Sequence, residues 1–124
     1  MKLRIKGNSI RLRITQGEAQ KLASGETIKE ALHFPEVSWS YSLGVSQSSY
    51  LSAHLRPNQL AIVAPESQLR AWAQSDRVTL DCPQRDPANE PTILVEKDFA
   101  CLTPRPGDDD ADTFPHPAAD KQHC

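Results

Sequence analysis

Residues 1–28, MKLRIKGNSIRLRITQGEAQKLASGETI, read as strand, tight turn, strand and capped helix. Leu3 and Ile5, then Ile10, Leu12 and Ile14, alternate with Lys2, Arg4, Lys6, Arg11 and Arg13. A period of two over that length predicts two half-buried strands with one apolar and one basic face. Gly7-Asn8-Ser9 stands between them, and Gly and Asn tolerate the positive φ of a tight reversal. Thr15 followed by Glu18 is a capping-box signature, with Ala19, Leu22 and Ala23 at helical spacing behind it and Gly25 suited to the helix end.

The same plan recurs from Ala53 to Val78. Displacing the sequence by 50 residues puts Leu55 on Ile5, Pro57-Asn58-Gln59 on Gly7-Asn8-Ser9, and Leu60 and Ile62 on Ile10 and Leu12. The helix follows, with Leu69 on Ala19, Trp72 on Leu22 and Ala73 on Ala23, and Val78 falls on Ile28. Matching apolar phase, turn and helix predict an internal duplication, with halves at about 1–50 and 51–103. Between the copies, Thr27 to Phe34 reads as a third strand. Glu36 to Val45 alternates Val37, Trp39, Tyr41 and Leu43 with serines and reads as a fourth strand, with Trp39 and Tyr41 in the core. Gly44 to Ser49 reads as a turn. In the second half Pro65-Glu66 opens the helix, Arg77 to Cys82 is a strand, Pro83 to Pro91 an exposed loop, and Thr92 to Leu102 the last strand, interrupted by Lys97.

At 124 residues with 38% hydrophobic content the chain is long enough for one modest core, which excludes a disordered protein. No apolar run approaches the length of a membrane span, and the N-terminus lacks a signal-like stretch, so a cytoplasmic protein is expected. Three cysteines, Cys82, Cys101 and Cys124, read as free thiols. Charge is uneven. Residues 1–14 hold five cations and no acid, whereas residues 98–124 hold six acids against Arg105 and Lys121. From Pro104 periodicity stops, so residues 1–103 are expected to form the domain and 104–124 an acidic, proline-rich tail, either disordered or laid across the domain by Phe114.

Two resemblances follow. Ile5 to Ile14, with its Gly-Asn-Ser turn, resembles the AbrB and MazE swapped-hairpin proteins; the second copy has Pro65 before its helix, where that family has proline and the first copy has Thr15. In that family two short chains interleave hairpins into one barrel, usually as DNA-binding regulators or antitoxins. The resemblance implies a mainly β chain with two short helices (α+β), whose two ββαβ units build a pseudo-twofold barrel. The opening Arg4-Ile5-Lys6-Gly7-Asn8-Ser9 with the closing Val95-Glu96-Lys97-Asp98-Phe99-Ala100-Cys101 and Phe114-Pro115-His116-Pro117 also resembles a family of small bacterial proteins of unknown function, which carries no activity with it.

The candidate nucleic-acid-binding residues are Lys2, Arg4, Lys6, Arg11 and Arg13, which could neutralise phosphates. Of their counterparts Ser52, His54, Arg56, Ala61 and Val63 only Arg56 repeats the charge, so a solvated basic face, partly neutralised by the acidic tail, is the simpler reading. Cys101, His116, His123 and Cys124 are the candidate metal ligands, at spacings that form no compact zinc knuckle. No phosphate loop, nucleophile elbow or zincin motif is present. The expectation is therefore a non-enzymatic interaction module without cofactor, monomeric or a weak homodimer. Its partner would be a protein or DNA and not a membrane. The alternatives are an AbrB-like DNA-binding regulator or antitoxin and a weak metal-binding protein.

Overall fold

The computed structural model describes residues 1–99 and Phe114. The opening hairpin forms as its alternation dictates: β1 (Lys2–Lys6) and β2 (Ser9–Ile14) pair antiparallel, with Ile5 opposite Ile10 and Leu3 opposite Leu12. Gly7 takes the positive φ of the turn at +54°, and Asn8 does not. Helix α1 (Gln16–Ala23) starts on the full capping box, Glu18 N–H donating to Thr15 Oγ1 at 3.3 Å and Thr15 N–H to Glu18 Oε1 at 3.0 Å. β3 (Ile28–His33) and β4 (Ser38–Ser46) make a second hairpin, β5 (Ser52–Arg56) and β6 (Gln59–Pro65) a third. Helix α2 (Glu66–Ala73) and β7 (Thr92–Lys97) complete the described elements.

Two sheets result, ordered β1-β2-β7 and β3-β4-β6-β5. The central pairs are parallel and join distant parts of the chain: Ser9 stands opposite Thr92 in β2–β7, and Ser40 opposite Gln59 in β4–β6. The core gathers Leu12 and Ile14 of β2, Leu43 of β4, Ile62 of β6 and Val95 of β7, closed by Leu22 of α1 and Leu69 and Trp72 of α2. The helices pack on each other, and Arg70 Nε donates to the Ala23 carbonyl across them at 3.1 Å.

Several expectations need correction. No closed barrel is found among the described residues; the sheets are open. β4 runs on to Ser46, into the turn predicted at Gly44 to Ser49. Arg77 to Cys82 is no strand: only Thr79 bridges Glu96, Leu80 N–H donating to the Val95 carbonyl at 2.8 Å. Leu80, not the exposed Val78, therefore takes the buried place that Ile28 holds opposite Leu43. β7 ends at Lys97, short of Leu102, and Trp39 and Tyr41 are half-buried rather than enclosed. The Pro83–Pro91 loop is pinned, not merely exposed. Buried Glu90 accepts from Ala53 N–H, Asp86 N–H and Arg85 Nη2, and Leu51 bridges Gln84. Of the tail, Phe114 lies on Phe99, with ring centroids 5.8 Å apart, and its N–H donates to the Asp98 carbonyl at 2.7 Å. The other tail positions, with Cys101, His116, His123 and Cys124, lie outside the described residues.

Candidate functional site

Where the first and third hairpins approach each other, Ile5 and Leu55 beside their turns are left uncovered among the described residues, whereas Ile10 and Leu60 are buried. Ile5 and Ile10, a cross-strand pair of β1–β2, face Leu55 and Leu60, a cross-strand pair of β5–β6, with Trp39 and Pro91 completing the walls. Between them lies a cleft of about 320 Å³. Ile5 is 60% exposed and Leu55 77% exposed, so its lip is apolar and open to solvent. Such walls favour burying apolar groups, and a lip of two aliphatic side chains is costly to leave in water.

The β3–β4 hairpin extends the same apolar face beyond the cleft. Ile28, Glu30, Leu32 and Phe34 stand opposite Leu43, Tyr41, Trp39 and Val37. The inner end of this stripe is core, whereas Leu32, Phe34 and Val37 are each about half exposed. Trp39 belongs to both regions: it walls the cleft and faces Leu32 across the ladder. β3 is also a sheet edge. Phe34 N–H donates inward to Val37, so by alternation the amides of Lys29, Ala31 and His33 point away from β4, and no partner for them occurs among the described residues. The edge strand β5, by contrast, has its Ala53 amide capped by Glu90.

The five predicted cations come together on the outer face of the β1-β2-β7 sheet. Lys2 stands opposite Arg13 and Arg4 opposite Arg11, with Lys6 next to the turn. Two are paired: Lys2 Nζ lies 3.1 Å from Asp98 Oδ2, and Arg11 Nε 3.0 Å from Glu96 Oε1. The candidate metal ligands are not described, and no cluster of three or more metal-binding side chains occurs among the described residues.

Sequence reading assigned Ile5, Leu55 and Trp39 to the apolar phase but not to a site, and placed Leu32 only within a strand. Their common signal is position: each lies near a hairpin turn, the end of a strand that packing reaches last. Three side chains carry a shifted titration. Burial raises the Tyr41 hydroxyl, aided by Glu30 and Glu18, burial raises the Cys82 thiol, and burial pushes the Lys97 ammonium below its ordinary range. None of the three lines the cleft as a polar anchor.

Residues 1–118 match the model of a family described as "Family of unknown function (DUF7009)". No curated protein and no solved structure matches the chain.

Proposed function

The chain belongs to the DUF7009 family of unknown function, and from that premise we propose that it is a non-enzymatic interaction module that receives an extended segment of a partner protein. The observation that carries this reading is the open apolar cleft continuous, through Trp39 and Leu32, with a free strand edge. A segment laid along β3 would satisfy the outward amides of Lys29, Ala31 and His33 and place alternate side chains over Leu32 and Phe34. Adjacent strands lie roughly 4.8 Å apart, which puts β4 about 10 Å from the added strand, so a stretch of the partner beyond that pairing, turning over Trp39, would be the part that anchors between Ile5 and Leu55. The opposite face of β3 carries Lys29 and His33 with no carboxylate on it. The partner strand is therefore apolar on one face and acidic on the other.

An internal duplication underlies this arrangement. An offset of 50 residues carries β1, β2 and α1 onto β5, β6 and α2, and an offset of 52 carries Ile28, at the start of β3, onto Leu80 and β4 onto β7. The two added residues fall between α2 and Thr79. In support, each half's first hairpin pairs in parallel with the last strand of the other half. The cleft walls obey the same offsets, Ile5 with Leu55, Ile10 with Leu60 and Trp39 with Pro91. This crossing of hairpins is also what favours a second reading, a DNA-binding regulator of the swapped-hairpin kind. Against it, the basic face occurs in one half only.

Selection of short displayed peptides against the full chain tests the leading reading. It should enrich sequences with apolar residues at every second position, and Leu55→Lys should weaken binding of a synthesised winner by about tenfold, roughly 1.4 kcal/mol. Winners without that alternation, or binding indifferent to Leu55→Lys, would reject it.

A further inference from the structure

The basic hairpin is charged in a way that folding does not require. Lys2 faces Arg13 and Arg4 faces Arg11 directly across the β1–β2 ladder, and like charges so placed are destabilising. Edge protection explains cations on β1, an exposed outer strand, because lysines there discourage pairing with other chains. It does not explain Arg11 and Arg13, since β2 is enclosed between β1 and β7. Nor does the architecture demand them: the third hairpin has Ala61 and Val63 at the corresponding places and is built on the same ladder.

The carboxylates on this face neutralise only part of the charge. Each like-charged pair receives one, Asp98 at Lys2 and Glu96 at Arg11. Arg4, Lys6 and Arg13 have no ion pair among the described residues. Two of them converge. Arg4, Lys6 and Arg11 line a depression of about 140 Å³ together with Ile10, Leu94 and Ser9, the Ser9 hydroxyl already donating to the Lys6 carbonyl at 2.6 Å. The donors left to serve an occupant are thus guanidinium and ammonium N–H groups alone.

We propose that this depression is a phosphate-binding site, in which Arg4 and Lys6 supply charge-assisted hydrogen bonds to one oxyanion and Arg11, held by Glu96, completes the rim. Arginine's fork suits two phosphate oxygens at once, and lysine adds a point charge. An oxyanion there also removes the repulsion between Arg4 and Arg11. The phosphate could belong to a free polyphosphate compound or to a nucleic-acid backbone, and the site's chemistry is the same for both.

The test is calorimetric titration of the full chain at low ionic strength with sodium tripolyphosphate and, separately, with a mixed-sequence DNA duplex. Arg4→Gln and Lys6→Gln are the variants and Lys21→Gln, on α1, the control. These side chains are exposed, and Arg4→Gln relieves a like-charge pair, so its urea midpoint should not fall. Saturable tripolyphosphate binding, weakened about tenfold or more by Arg4→Gln or Lys6→Gln and unchanged by Lys21→Gln, is the expected result. If duplex binds as well, with the same variant sensitivity and a log–log salt slope of roughly −0.9 for the one phosphate seated there, the source is nucleic acid. Tripolyphosphate binding without duplex binding assigns a free phosphate compound. Failure of wild type to bind either probe, or equal weakening by Lys21→Gln, overturns the site.

Discussion

Lys97 brings a positive charge to the inner face of β7, where Ile93 and Val95 precede it. It is 5% exposed; its Nζ donates to the Ser75 carbonyl just beyond α2 and lies 5.6 Å from the Trp72 ring centroid and 5.2 Å from that of Phe114. A helix C-terminal end and two aromatic faces are places where a cation is favoured, yet no carboxylate pairs with it among the described residues. Burial therefore dominates and holds its pKa below the ordinary 10.5. Between the lowered folded value and 10.5 the unfolded chain binds more protons, so this residue's contribution to stability rises with pH across that window. Urea midpoints measured through the alkaline range should climb relative to those of Lys97→Met, which lacks this component; parallel curves would contradict it. Trp72 beneath it is fully buried and donates its indole N–H to the Val78 carbonyl at 3.1 Å. Trp72→Ala should cost about 3–5 kcal/mol in a denaturation experiment.

The elements show which signals are local. The capping box of α1 involves residues three apart, and both of its hydrogen bonds form as Thr15 and Glu18 imply. The hairpin alternation is equally local, and Gly7 alone takes the left-handed turn position. Because a Cβ there would meet nothing within 4 Å, Gly7→Ala should cost only the backbone term, about 1 kcal/mol, read from the shift in urea midpoint. The counterpart Pro57 reverses its strands without positive φ, so the same turn position is filled by two different solutions. What could not be read locally was the partner of each hairpin. β2 pairs with β7, more than 80 residues away, a distance over which alternation specifies a face but no neighbour. The strand predicted at Arg77–Cys82 failed for a related reason: alternation alone does not say which residue reaches the core, and Leu80 rather than Val78 is buried.

At the scale of the molecule, mainly β structure with two helices was legible, because period and capping specify element types. The site was not. Ile5 and Leu55 carry the same alternation as buried Leu12 and Ile62, and only the assembled sheets reveal that no described residue covers these strand ends. No helix among the described residues is long and apolar enough to cross a membrane. In the proposed reading a partner segment covers the open lip, the half-exposed stripe of Leu32, Phe34 and Val37, and the outer edge of β3. Amide hydrogen exchange of the full chain, with and without a selected peptide, tests this most directly. The account predicts that the amides of Lys29, Ala31 and His33 become protected when the peptide binds and that Leu55→Lys diminishes the effect. Peptide binding that leaves those three amides exchanging at their free rate would contradict it.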